Sequence, residues 1–214
     1  MEGVGQRQVH EPRGEPCLRL ETKAANRQSV CCSRSFGRAT GNLATLTEAV
    51  STFASSVAVK LRRQGLAARR VTMPVQTDRH EPVEQRTKAS TARLPVAIED
   101  TRELARVAAW CLRRAWRPGY AYVEAGVLLG EPGRLEAVVP GLLDARDHGR
   151  TRRLMAVVDA VNQKQGRVSL RLAAASPLEL EPCRTWRLRS EPRSPRWTPH
   201  RAKLPMARVP DECS

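Results

Sequence analysis

The apolar residues between positions 46 and 77 change their spacing, and this change limits the possible folds more than any other feature. The first of them recur at the intervals of one helix face: Leu46, Val50, Phe53, Val57 and Leu61. From residue 68 to 77 the interval becomes two, with Val71, Met73 and Val75 on one side of the chain and polar residues on the other. The sequence therefore predicts an amphipathic helix followed by a half-buried strand, in a domain of the α+β class.

Both ends of the first helix carry sequence signals. Thr45-Leu46-Thr47-Glu48 matches a capping box, in which the Thr hydroxyl and the Glu carboxylate each accept a hydrogen bond from a free backbone N–H. Gly65 stands where a C-terminal stop belongs. In the strand that follows, Pro74 has no backbone N–H to donate to a neighbouring strand, so we expect an edge strand or a bulge there.

Further strands are predicted at residues 28–36, 91–98 and 120–129, each with β-tolerant or alternating residues. A second capping signal, Asp100-Thr101-Arg102-Glu103, precedes another apolar stripe of helical spacing. The order is strand, helix, strand, strand, helix, strand. We therefore predict a four-stranded sheet with two helices on one face and the other face open.

The chain has 37 Lys and Arg residues against 22 Asp and Glu, a net charge of +15. An excess of this size favours a polyanionic partner, because neutralising phosphates releases condensed counterions. Arg34, Arg70 and Arg93 are expected on or beside the open face, which would make it a cationic platform. Membrane lipid is the competing polyanion, but no run of about 18 apolar residues and no apolar signal core is present, so we expect a cytoplasmic protein with no membrane partner.

The six cysteines are scattered, and we expect reduced thiols. Cys31 and Cys32 are neighbours in a predicted strand, so they point to opposite faces and cannot grip one metal ion together. No Cys-x-x-Cys spacing, glycine-rich phosphate loop or Ser-His-Asp order occurs. We expect neither a metal site nor a cofactor in this chain.

Outside the predicted domain, which we place at residues 28–130, the signals weaken. Residues 1–27 are interpreted as a linker or a severed end, and 131–150 as a second linker. The rest, 151–214, is expected to be a partly ordered extension that begins with a helix whose apolar face is Leu154, Val157, Val158 and Val161. Trp110 and Trp116 are interpreted as packing residues. For Trp186 and Trp197, in the basic tail, stacking on nucleic-acid bases is an alternative.

Several stretches, in this order, resemble a known family. They are RGEPCLRLE (13–21), QSVCCSRSFGR (28–38), PVAIEDTRELARVA (95–108), YVEAGVLL (122–129), LMAVVDAVNQKQGR (154–167) and SPRWTPHRAKLPMAR (194–208). Together they resemble the C-terminal half of UmuC-type subunits of DNA polymerase V, which are Y-family translesion polymerases. Ser-Arg-Ser-Phe-Gly, at 33–37, is the most specific piece.

The resemblance implies a little-finger domain, a four-stranded sheet with two helices that lies across primer-template DNA, and a role in DNA repair and the SOS response. It implies that Ser33, Arg34 and Ser35 face DNA. Strand geometry and charge add further predicted contacts: Arg38, Arg69, Arg70, Thr72, Gln76 and Arg93. The protein is then expected to be associated with the nucleoid.

The resemblance also shows what differs. The Mg²⁺ ions of the parent family are held by palm carboxylates, whereas the only Asp-Glu pair here is Asp211-Glu212, so we expect no polymerisation by this chain alone. The clamp-binding peptide corresponds to residues 139–143, where Gln and the aromatic are missing and Leu142 and Leu143 give at most weak clamp contact. A UmuD-type subunit is a further possible partner. Two alternatives stay open: one half of a split polymerase, or a non-functional basic fragment.

Overall fold

The computed structural model describes residues 9–14, 28–78, 85–137, 147–166, 169–175 and 186. The elements follow the predicted order, including the helix predicted at the start of the C-terminal extension. They are β1 (Ser29–Thr40), α1 (Leu43–Arg62), β2 (Leu66–Thr77), β3 (Thr87–Ile98), α2 (Thr101–Ala115), β4 (Tyr122–Arg134) and α3 (His148–Lys164). Short 3-10 helices lie at Glu11–Arg13, Leu135–Ala137 and Ala173–Ala175.

The four strands form one antiparallel sheet in the order β1-β4-β2-β3. The last strand in the sequence therefore lies in the middle, between the first and the second. It pairs Val30 with Leu129 on one side and Val71 with Leu129 on the other. The α+β prediction of a four-stranded sheet with helices is confirmed.

One face of the sheet carries the core. The apolar stripe of α1 is buried as predicted, and so are Val71, Met73 and Val75 of β2. The stripe of α2 is buried too, apart from the half-buried Val107. Both helices pack on the same face of the sheet. Successive strand residues point to opposite faces, so every second residue of each strand points away from the helices.

The start of α1 differs from the prediction. Asn42 is the N-cap, and its Oδ1 accepts hydrogen bonds from the backbone N–H of Ala44 (2.8 Å) and Thr45 (3.3 Å). The predicted capping box was wrong because Asn is among the strongest N-cap residues and stands three residues earlier, which leaves Thr45 inside the first turn. The second helix begins as predicted, with Asp100 accepting from the N–H of Arg102.

Pro74 lies in an inner strand, so the expectation of an edge strand or a bulge at this position was wrong. The register of β2 with β4 is the same on both sides of it, with Thr72 opposite Leu128 and Val75 opposite Ala125. A missing backbone hydrogen bond costs about 1 kcal/mol. Burial of the neighbouring Met73 and Val75, at about 1.5–3 kcal/mol per side chain, outweighs this loss.

All four strands are longer than predicted, and β2 begins two residues earlier, at Leu66. β1 continues to Thr40, β3 begins at Thr87, and β4 continues to Arg134. β4 continues to Arg134 because the start of β2 pairs with it there: Leu66 pairs with Arg134, and Ala67 pairs with Gly133. Pairing across strands is invisible to periodicity along one strand.

The C-terminal residues attach to the two helices through a charged contact. The guanidinium of Arg62, in the last turn of α1, donates to both carboxylate oxygens of Asp159 on α3, at 2.7 and 2.8 Å. The same group donates to the backbone oxygen of Glu99 and to the hydroxyl of Thr101. Arg152 of α3 pairs with the Glu99 carboxylate. Burial raises the pKa of Glu99, and the positive charge of Arg152 opposes that rise.

Trp186 is the only residue after Ala175 that the structure describes, and it lies in the core. It is 5% exposed, its ring meets that of Phe53 edge to face at 5.6 Å, and its Nε1 donates to Glu48. The alternative that Trp186 stacks on bases was therefore wrong, because an indole with its N–H satisfied and its ring buried is not available. Trp197 lies outside the described residues.

The predicted apolar face of α3 is buried only in part, at Val158 and Val161, which are half-buried. Met155 is buried, whereas Leu154 and Val157 are 42% and 59% exposed. Helical periodicity identified the apolar residues of α3 but not the rotation of the helix about its axis. The Arg62–Asp159 ion pair fixes that rotation, and Met155, four residues before Asp159, therefore points into the domain.

Replacing Trp186 with Ala should lower the free energy of unfolding by about 3 kcal/mol, because a buried indole is lost and a cavity is left beside Phe53. Urea denaturation followed by circular dichroism measures this. The control is Trp110→Ala, which removes a half-exposed indole and should cost less than about 1 kcal/mol. Equal losses in the two variants would show that Trp186 adds nothing to the core.

Candidate nucleic-acid interface

The strand register defines the surface that faces away from α1 and α2, and we call it the open face. Its positions form four rows, each crossing β1, β4, β2 and β3 in turn: Ser29, Gly130, Arg70, Arg93; Cys31, Leu128, Thr72, Thr91; Ser33, Gly126, Pro74, Ala89; and Ser35, Glu124, Gln76, Thr87. The positions on β1 and β3 are exposed to solvent. Small and hydroxyl-bearing residues therefore make up most of this surface.

Hydroxyl groups lie on both edges of the open face. Ser33 and Ser35 are exposed on β1, and the hydroxyls of Thr72 and Thr91 are hydrogen-bonded to each other at 2.9 Å on the other side. Hydroxyls and backbone N–H groups are common donors to phosphate oxygens. The edges can therefore contact phosphates without long side chains.

Two glycines of the inner strand β4, Gly126 and Gly130, lie in the middle of the open face. A Cβ at Gly126 would lie 2.6 Å from the Cβ of Ser33, and a Cβ at Gly130 would lie 2.8 Å from Nε of Arg70. The Arg70 side chain therefore crosses over the backbone of β4 at Gly130. The two glycines therefore admit neighbouring residues of the protein itself, Ser33 and Arg70, close to the backbone of β4.

Arg70 and Arg93 are cross-strand partners, and one carboxylate contacts both of them. Glu131 lies 3.6 Å from Nη1 of Arg70 and 3.3 Å from Nε of Arg93. The backbone of Glu131 has φ +51°, in the left-handed region that favours glycine. A strained residue thus holds a carboxylate between two like charges that would otherwise repel each other.

The expected cationic platform is corrected by these contacts. Arg70 and Arg93 are on the open face, but so are the carboxylates of Glu124 and Glu131. The excess positive charge of the chain lies elsewhere, and α2 alone carries Arg102, Arg106, Arg113 and Arg114. Periodicity placed the arginines correctly, but it did not show which carboxylates face them.

The structure brings together six of the nine predicted contact residues on the open face: Ser33, Ser35, Arg70, Thr72, Gln76 and Arg93. Arg34 does not belong with them. Its cross-strand partner is the buried Ala125, and it alternates with the buried Val30 and Phe36, so its side chain leaves the edge strand on the helix side.

The other predicted contacts lie at irregular places. Arg38 is exposed where the register of β1 with β4 shifts, between Ser35 and Thr40. Arg69 is exposed at the corresponding shift between β2 and β3. Leu142 and Leu143, the predicted clamp contacts, lie outside the described residues. A role in binding stays a prediction for all of these residues.

The residues of the surface that were not predicted include Thr91, Gly126, Gly130 and Glu131. Thr91 could have been found, because it alternates with Arg93 on the same strand. The two glycines, four residues apart in an apolar strand, were also a signal of close approach. Nothing in the sequence points to Glu131, since its position depends on a left-handed backbone and on two neighbouring strands.

The adjacent cysteines divide between the two faces, as predicted. Cys31 is exposed on the open face, and Cys32 is half-buried against the core. Among the described residues Cys111 is also a free thiol, and burial raises its pKa. In the described part of the chain, no group of three or more His, Cys, Asp or Glu side chains is arranged to hold a metal ion. None of the helices described is both long and apolar enough to cross a bilayer.

Two family models match the chain. The first, described as the impB/mucB/samB family C-terminal domain, matches residues 27–137, which include the whole sheet and both helices. The second, a domain of unknown function (DUF4113), matches residues 152–207. The boundary between them falls before most of α3.

Curated relatives match nearly the whole chain. Protein UmuC of Salmonella typhimurium strain LT2 is 33% identical over 199 residues, which is 91% of this chain and 46% of that protein. Protein MucB of Escherichia coli is 34% identical over 162 residues, 75% of this chain and 38% of that protein. The chain thus spans less than half the length of these relatives. A solved insertion ternary complex of Dbh DNA polymerase is similar over 58% of this chain and 34% of that chain, with 10% identity and a TM-score of 0.39.

The two open-face glycines should respond differently to substitution. Gly126→Ala should lower the free energy of unfolding by about 2 kcal/mol, because the new methyl group meets Ser33 and the backbone of β1, which must move. Gly130→Ala should change it by less than about 1 kcal/mol, because it meets only the movable end of Arg70 and alanine is less flexible than glycine in the unfolded chain. Thermal denaturation of both variants checks this. A larger loss in Gly130→Ala would contradict it.

Proposed function

The chain belongs to the impB/mucB/samB family by the C-terminal domain that it carries, and on that premise we propose that its open face binds duplex DNA. The observation that carries the proposal is the composition of this face. It combines exposed hydroxyls and an arginine pair on a sheet whose other side is covered by helices. The net charge of +15 supports a polyanionic ligand.

In this mechanism one DNA strand lies across the sheet. Ser33 and Ser35 donate hydrogen bonds to phosphate oxygens on one edge, and Arg70 and Arg93 pair with a phosphate on the other. Between these edges the two β4 glycines are covered by Ser33 and Arg70, so the phosphate contacts come from the side chains on either side of them. Contacts to phosphate carry no base information, so the binding is independent of DNA sequence.

Glu131 has a particular part in this binding. In the free protein it occupies the position between Arg70 and Arg93 that a phosphate needs. It therefore keeps the two guanidinium groups close and correctly spaced, and it also competes with the ligand. Binding exchanges the carboxylate for a phosphate, which lowers the net gain from the arginine pair.

At the level of the whole enzyme, we propose that this domain is the little finger of a UmuC-type translesion polymerase acting in DNA repair and the SOS response. The ligand is then primer-template DNA, and the location is the nucleoid. The proposal assigns no cofactor to this domain, and it leaves Mg²⁺-dependent phosphoryl transfer to the palm carboxylates of the parent enzyme. Contacts with a UmuD-type subunit and a sliding clamp stay predictions.

A salt titration tests the proposal. Fluorescence anisotropy of a labelled primer-template duplex should give log K falling with log salt, with a slope of about −0.9 for each phosphate neutralised. Arg70→Ala with Arg93→Ala should make the slope less steep by about 0.9, because the pair neutralises one phosphate. The matched control removes two exposed arginines of α3, Arg150 and Arg153, and should change the slope much less. A flat slope, or equal effects in both double variants, excludes the open face as the binding surface.

Replacing Glu131 with Gln should increase the affinity for duplex DNA about fivefold at low salt, because it removes a competing carboxylate worth about 1 kcal/mol. The same anisotropy measurement reports the change. The control is Glu136→Gln, which removes an exposed carboxylate five residues away and corrects for the change in net charge. If the two variants bind equally, Glu131 does not compete with phosphate.

A further inference from the structure

The outward side of α2 carries a second concentration of positive charge. Opposite the buried stripe of the helix lie Arg106, Trp110, Arg113 and Arg114, and Arg117 follows just after the helix end. We call these five residues the arginine-tryptophan stripe. Spacings of three and four residues keep its helical members on one side. The helices lie between this stripe and the sheet, so it faces away from the open face.

Trp110 is 46% exposed, so its interpretation as a packing residue was wrong. It also differs from the two other tryptophans that the structure describes. Trp116 donates its N–H to the backbone oxygen of Gly41, and Trp186 is buried. A large aromatic left on the outer side of a helix is costly to expose and is a common feature of a binding surface.

Cations surround this indole. The guanidinium carbon of Arg114 lies 4.8 Å from the ring centroid, in a cation–π contact. Arg106 pairs with Glu103 at 2.6 Å, while Arg113 and Arg117 are exposed and make no ion pair within the described ranges of the chain. The stripe therefore has one accessible ring and more positive than negative charge.

We propose that the arginine-tryptophan stripe binds single-stranded nucleic acid, with an unpaired base stacked on Trp110 and phosphates paired with Arg113 and Arg117. A ring that stacks on bases, set among cations that follow the phosphates, is the combination that single-strand binding uses. Arg114 on one ring face leaves the other to a base, and its cation polarises the stack.

Other polyanions fit less well. An acidic polypeptide would pair with the arginines but gives no role to an exposed indole. A lipid surface requires a wide apolar area, and this stripe has a single large apolar side chain among four arginines. A duplex does not present free base faces. The site is separate from the open face, so it does not depend on the proposed function.

The test compares two oligonucleotides of equal charge, an oligo-dT and an abasic oligomer of the same length, by anisotropy with the full chain. Trp110→Ala should weaken oligo-dT binding about tenfold, which corresponds to the loss of one stacked base, and should leave the abasic oligomer unchanged. Trp110→Phe should retain most of the affinity. Arg113→Ala with Arg117→Ala should weaken both ligands and make the salt slope less steep by about 1.4.

The controls separate this site from the open face. Arg150→Ala with Arg153→Ala should alter single-strand binding little, and Trp110→Ala should leave duplex binding unchanged. The proposal is overturned if Trp110→Ala has no effect, if it weakens both oligomers equally, or if poly-glutamate competes as well as oligo-dT. If Arg70→Ala with Arg93→Ala abolishes oligo-dT binding and Trp110→Ala does not, single strands bind the open face and only the duplex proposal stands.

Discussion

The insertion of β4 between β1 and β2 is the constraint on which the rest of the structure depends. β4 pairs with β1 on one side and with β2 on the other. The alternation of its side chains therefore determines which residues of β1 and β2 point to each face of the sheet. Val127 and Leu129 enter the core, and Gly126 and Gly130 come to the open face. A shift of one residue would turn the glycines toward the core, expose the core residues and remove the Arg70 crossing.

The charge of the chain is informative about the kind of partner but not about the place of binding. The open face has carboxylates as well as arginines, while the outer side of α2 has a surplus of arginine. In the proposed DNA binding, phosphate affinity on the sheet depends on exchange between Glu131 and the ligand. In the proposed single-strand binding on α2, it depends on exposed guanidinium groups beside an aromatic ring.

Local patterns predicted the order of elements, both helical stripes and the inward residues of β2, because each of these depends on spacing along one segment. The family resemblance that the sequence motifs indicated is confirmed by the matching C-terminal domain. The unpredicted parts depend on contacts between segments. Arg34 was assigned to the open face although its alternation with Val30 and Phe36 argues against it, and Glu131 needed a left-handed backbone that only the folded sheet provides.

The division of the chain into two matched families does not correspond to two separate packing units among the described residues. Arg62 of the first match holds Asp159 of the second with two short hydrogen bonds, and Trp186 of the second lies against Phe53 in the core of the first. The buried indole of Trp186 contacts the middle of α1, and the bidentate ion pair with Asp159 is made from its last turn. Both contacts attach the C-terminal residues to the same helix. The C-terminal residues therefore stabilise the helix side of the sheet, and since the open face is the other side of the same strands, they help to keep its rows in register.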